Sequence, residues 1–157
     1  MATKVSLPVA LAALLLTNAA ATAAEMQVSG TLVYVPVSQD ATKQSNGSTL
    51  IHTALKGVIR SDDEASPLNL SPQDCNGTVL ISADGQSQTG GGHCTAIDKD
   101  GDAWWLSFLL TGDGSEWTVM GGTGKYEGMT GGGTTTPDAQ FADGRDAEHY
   151  EGTLTMK

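Results

Sequence analysis

Several groups of residues in this chain have types and spacings from which chemistry could be built. Gly122-Thr-Gly-Lys-Tyr126 has the outline of a phosphate-cradling loop, and Asp98-Lys-Asp-Gly-Asp102 that of a calcium loop. Cys75 and Cys94 offer thiols or a disulfide, with His93 beside the second. His52, His93 and His149 offer imidazoles.

The phosphate reading fails on spacing. A Walker loop needs glycine where Val119 stands and Ser or Thr where Tyr126 stands, and then a helix; glycine-rich extended chain follows instead. The dinucleotide fingerprint fails too, because Gly122, Gly124 and Gly128 are misspaced for it. In the calcium reading, acids alternate at 98, 100 and 102, but Ala103 holds the position that requires glycine and Leu109 the one that requires a bidentate Glu. An Asp-Gly hairpin turn accounts for the same run. The three histidines are dispersed without ligand spacing, so neither a metal nor another cofactor is expected. No Gly-x-Ser-x-Gly elbow occurs. A catalytic carboxylate pair cannot be chosen among 18 acidic residues without geometry.

The cysteines depend on the compartment. Lys4 followed by the apolar run 7–16 and the small residues 19–24 reads as a secretory signal peptide over residues 1–24, its apolar core too short to span a membrane. Cleavage is expected after Ala23 or Ala24, leaving residues 25–157 as a single domain. The alanine-rich leader suits bacterial export, to the periplasm or the outside of the cell, with no membrane insertion afterwards. There an isolated pair is most simply a disulfide, Cys75–Cys94. A catalytic thiol would need a basic partner, and His93, adjacent on a strand, points to the opposite face. Losing Lys4 from 8 basic against 18 acidic residues takes the charge from −10 to near −11. That balance excludes nucleic acid as a main partner, and anionic membrane surfaces with it.

The elements that would position these groups are strands. Extended runs are expected at 27–37, 49–60, 76–82, 93–98, 103–111, 115–120 and 149–156, with no helical period and no internal repeat. In the first, Val28, Leu32 and Tyr34 share one face and Val33, Val35 and Val37 the other, which predicts cover on both sides. Pro36 predicts an edge or a bulge there. Asn46-Gly47 marks a hairpin turn. In the second, Ile51, Leu55 and Ile59 oppose His52, Lys56 and Arg60, so His52 is read as solvated. Residues 61–74 read as a surface loop long enough to be a lid or rim, 90–92 as part of a flexible excursion, and 137–148 as polar and turn-rich. Trp104, Leu106, Phe108 and Leu110 form the most apolar face. Trp105 and Leu109 lie behind it, where the large ring needs cover. Cys75 and Cys94 then fall at the starts of consecutive strands, where antiparallel pairing would separate them; their pairing stays open at this level.

The stretch from Trp117 to Gly133 is dense in glycine, which in strands marks bends, bulges and close backbone approach. It suggests a hairpin bent enough to help close a small barrel. Gly121, Gly122, Thr123, Gly124, Tyr126, Gly128, Gly131 and Gly133 resemble the hairpin of the allene oxide cyclase-like and dirigent-like barrels. That resemblance implies an all-β fold: an antiparallel barrel of about eight strands, calycin-like, with an apolar interior and a tendency to form oligomers. It carries over no catalytic residue, and likeness of fold does not establish activity.

The expected function is non-catalytic binding of a small apolar ligand or a partner, with Tyr34, Trp104, Phe108, Trp117 and Tyr126 as the ligand-contacting set. One alternative is a cyclase-, isomerase- or dirigent-type enzyme acting by confinement, for which Tyr126, Glu127 and Tyr34 are the polar candidates. A second alternative is a structural module, possibly a homo-oligomer, using Trp105 and Leu109 as a seam.

Overall fold

In the computed structural model, which describes residues 23–157, the alternating runs become eight strands. They are β1 (Ala24–Lys43), β2 (Thr49–Ser61), β3 (Pro72–Ile81), β4 (Gln88–Ile97), β5 (Ala103–Thr111), β6 (Gly114–Gly122), β7 (Thr130–Gln140) and β8 (Asp146–Met156). The expected signal peptide lies outside the described residues, except for Ala23 and Ala24. Each strand pairs antiparallel with the next, and β1 closes on β8, giving a barrel in strand order. Among the described residues the only helical element is a 3-10 turn, Gly124–Tyr126.

Closure depends on β1, whose length serves two partners. Its first half pairs with β8, from Ala24 opposite Met156 to Tyr34 opposite Asp146. Its second half pairs with β2, from Gly30 opposite Ser61 to Lys43 opposite Thr49. The register slips between Pro36 and Ser38, so the proline stands at a bulge, as its missing N–H requires. Pro137 does the same in β7.

Period-2 alternation turns one side of every strand inward. Val28, Leu32, Ile59, Ala96, Leu106, Val119 and Leu154 fill that side. The outward side of β1 is bare: Val35 and Val37 are exposed. The expected cover on both faces is therefore corrected; a single closed sheet has an inside and a solvent side, and no second layer packs over β1. Trp105, on the outward side of β5, is half-buried, its ring lying over Gly121, where a Cβ would come within 2.8 Å of it. Leu109 is 64% exposed.

Two further expectations change. The strand starts near the cysteines fall earlier than the sequence suggests: β3 begins at Pro72 and β4 at Gln88. Cys75 and Cys94 are consequently direct cross-strand neighbours, joined as a disulfide with Cα atoms 4.0 Å apart. Gly90, Gly91 and Gly92 belong to β4 rather than to a flexible excursion, packed against the backbone of β3 and β5. The polar segment 137–148 is mostly strand, with a turn at 141–145.

Alternation also sorts the connections to the two barrel ends. The tight turns after β1, β3, β5 and β7 share one end. The 62–71 loop, the 98–102 turn, the 123–129 connection and the strand ends Ala24 and Met156 share the other.

Candidate functional site

The second end is plugged from within. β6 and β7 pair only over 115–118 and 132–135, then diverge, and the 3-10 turn drops Tyr126 between them. The Tyr126 side chain is fully buried, and its hydroxyl donates to the Pro67 carbonyl (2.6 Å) and approaches Asp98 Oδ2 (3.1 Å). Gly122 makes the room, since a Cβ there would meet Tyr126 Cβ at 2.5 Å. The long 62–71 loop folds over the same end and buries Leu68. It is tied down by Ser61 N–H to Asn69 Oδ1 (3.1 Å) and Ile59 N–H to the Ser71 carbonyl (3.1 Å). The lid expected from its length is thus a fixed stopper.

The acidic run 98–102 has its cation supplied by the chain. Lys125 Nζ pairs with Asp98 and, at 3.0 Å, with Asp100. Asp98 Oδ1 accepts the N–H groups of Asp100 and Asp102. The Lys125 ammonium, helped by these hydrogen bonds, holds the Asp98 carboxyl down to about 2. Among the described residues no cluster of three or more His, Cys, Asp or Glu could hold a metal ion. His52 contacts Thr78 on the outer surface, and His93 and His149 are exposed.

Inside the barrel is a cavity of about 160 Å³. Its wall is mainly apolar and aromatic: Leu32, Leu55, Trp104, Phe108, Trp117 and Leu154 are representative. The aromatic rings fit because glycines face them. A Cβ on Gly152 would lie 2.5 Å from Trp117 Cζ2, and one on Gly77 would lie 3.0 Å from Phe108 Cζ. Of the ligand-contacting set expected from sequence, Tyr34, Trp104, Phe108 and Trp117 line the cavity together. Tyr126 does not line it; it closes the end. Glu127, offered with it as a polar candidate, is exposed beyond the plug.

Against this apolar wall stands a short list of polar groups. The Tyr34 hydroxyl donates to Gln73 Oε1, both side chains being buried. Ser115 Oγ and Thr135 Oγ1 share a hydrogen bond of 2.8 Å, as do Ser61 Oγ and Tyr150 OH at 2.7 Å. Glu148 also lines the cavity. Burial pushes its carboxyl above the ordinary range and Asp146 adds to that, while the Thr135 hydroxyl pulls the other way. Burial, reinforced by Glu148, likewise raises the Tyr34 hydroxyl. The Trp117 indole N–H donates to the Thr134 carbonyl at 3.2 Å. The Trp104 N–H is buried with no partner in the protein. No Lys, Arg or His lines the cavity.

Gln73 and Glu148 were not singled out by the sequence reading. Each was placed in a polar, turn-rich stretch. The signal was present in parity: counting back in twos from Val79 reaches Gly77, Cys75 and Gln73, and from Leu154 reaches Tyr150 and Glu148.

Such an interior can hold a small neutral molecule, orient it by a few hydrogen bonds and keep water from it. A carboxyl with a raised pKa among apolar side chains is also suited to proton transfer.

No protein-family model matches the sequence, and no curated protein matches it. Solved structures do match the fold. Those of the pterocarpan synthase dirigent proteins GePTS1 and PsPTS1 each align with a TM-score of 0.51 at 14% identity, over 85% of this chain and 89% and 96% of theirs respectively. The shared architecture agrees with the resemblance in the glycine-rich hairpin, and the chain has the fold of the dirigent-type eight-stranded antiparallel barrel.

Proposed function

We propose that this protein binds one small, neutral, largely apolar molecule inside its barrel, in a compartment outside the cytoplasm. The observation that carries the reading is the interior cavity of about 160 Å³, walled by apolar and aromatic side chains. A filled barrel would need larger side chains at positions where this chain has glycine, such as Gly77. The Cys75–Cys94 disulfide supports the location, since such bonds persist in oxidising compartments.

Trp104 and Trp117 both line the cavity, so tryptophan fluorescence reports directly on its occupancy. The expected outcome is a saturable change in emission and a raised Tm with small apolar compounds, and none with sugars or nucleotides. No response across a broad apolar panel would reject the reading.

A second reading draws on Glu148, Tyr34 and Gln73. A buried acid beside a hydrogen-bonded phenol could steer a proton in a confined substrate, as a cyclase- or dirigent-type enzyme requires. Glu148→Gln would abolish turnover of such a substrate while sparing its binding.

A further inference from the structure

We infer that the indole N–H of Trp104 is the polar anchor of the cavity, and that the ligand presents to it a neutral acceptor oxygen, as a ketone, ester or ether does. The inference rests on the binding reading above and names the class of molecule that the cavity takes.

The argument is one of elimination among donors. A buried polar group left without a partner is unfavourable, and folded proteins seldom tolerate one. Trp104 is 3% exposed, and its Nε1 finds no acceptor in the protein. The other donors on the wall are engaged: Tyr34 with Gln73, Ser115 with Thr135, Tyr150 with Ser61, and the Trp117 indole with the Thr134 carbonyl. Ser71 Oγ is also unpartnered, but Ser71 does not line the cavity, whereas Trp104 does. An indole N–H donates and cannot accept, so its complement must be an acceptor.

Charge then narrows the acceptor. No cationic side chain lines the cavity to neutralise a carboxylate or phosphate, and Glu148 on the same wall would oppose an anion. Fatty-acid carboxylates and phosphate esters are thereby disfavoured, and neutral oxygens remain. Trp104 lies near the start of β5, at the end plugged by Tyr126, so the oxygen enters first and the apolar body follows.

The test uses two probes of nearly equal shape, cyclohexanone and methylenecyclohexane, which differ in a carbonyl oxygen against a methylene. Cavities of about 150 Å³ admit benzene, so six-membered rings are of suitable size. Binding to the described domain and to Trp104→Phe is measured by calorimetry, and the indole N–H resonances are followed by NMR. The ketone is expected to move the Trp104 resonance downfield and the alkene is not. Trp104→Phe is expected to weaken the ketone about five- to tenfold, the worth of one hydrogen bond, and to leave the alkene unchanged. If both probes bind but the ketone leaves the resonance in place, or loses nothing in Trp104→Phe, the anchor is refuted and the binding cavity stands. If neither probe nor any other apolar compound binds, the cavity reading falls and the anchor falls with it. The resonance shift in the unmodified protein decides the matter even if Trp104→Phe fails to fold.

Discussion

Adding one methyl group at Gly57 should destabilise the barrel through a ring on the neighbouring strand. Gly57 in β2 stands opposite Tyr34 in β1. A Cβ at Gly57 would overlap the Tyr34 ring at Cδ1 and sit 2.7 Å from its Cε1 and from the Val33 carbonyl. The ring cannot yield freely, because its hydroxyl is held by Gln73 within the buried interior. Overpacking of this kind costs about 1–3 kcal/mol. Displacing the phenol from Gln73 would strand a buried donor and acceptor, at about 1–3 kcal/mol more. Against this, Gly→Ala restricts the unfolded chain and returns about 0.4–1 kcal/mol. We expect Gly57→Ala to lose roughly 2–4 kcal/mol, the sum of these effects with partial relief of the clash. Urea denaturation followed by far-UV circular dichroism measures it, with an unchanged m-value confirming a comparable unfolding reaction. The decisive measurement is a double-mutant cycle with Tyr34→Val, which keeps a strand-favouring side chain but removes the ring. In that background Gly57→Ala should lose less than half as much, the remainder arising from the Val33 carbonyl. An equal loss in both backgrounds, or a gain in stability in the unmodified protein, would refute the pairing of this glycine with this ring.

The other expectations follow from the site and its supports. Because burial raises Glu148 in the folded state, its contribution to stability is full below the ordinary carboxylate range and is lost as pH rises through the folded value. Glu148→Gln should therefore stabilise the protein at neutral pH and lose that advantage in acid. Asp98 acts in the opposite sense, its contribution being lost as pH falls toward about 2, and it cancels when the two proteins are compared at equal pH. Replacing Cys75 and Cys94 together by alanine, which opens a loop spanning 19 positions, should lower unfolding free energy by about 3 kcal/mol in denaturant titrations. Tyr126→Phe should cost about 1–3 kcal/mol by removing the hydroxyl that joins Pro67 to the plug. Faster hydrogen exchange in the 62–71 loop would locate that loss, whereas unchanged exchange would mean that the loop is held without it.

Alternation of side chains made most of the barrel readable from the sequence. The runs around Leu32, Ile59, Leu106 and Leu154 announce their inward faces, and Pro36 marks its bulge, because a strand's period and a proline's missing donor are local properties. Register is not local. Cys75 and Cys94 looked misaligned only because the polar residues of β3 and the glycines of β4 carry too little apolar signal to reveal where those strands begin. The same weakness hid Gln73 and Glu148. A polar residue that faces inward looks like a loop residue until its neighbours two apart are known to be buried. Tyr126 was read as a wall residue from its aromaticity, yet its place in the plug depends on β6 and β7 diverging after Thr118, a feature of three-dimensional closure. The glycines were legible as a bend; which rings they face was not, since each such contact joins different strands.

The seam between β1 and β8 gives the cavity a late birth. Ala24 and Met156 are adjacent in space yet come from opposite ends of the barrel-forming sequence. Such distant pairing is slow to find, because the intervening chain must first be ordered. Until β8 docks, both flanking strands present unpaired edges on which another chain can template. Glu148, Tyr150 and Leu154 arrive with that last strand, so no earlier intermediate has a complete wall. A chain shortened before Asp146 would expose two raw edges and an apolar trough, and its fate is self-association rather than weakened binding.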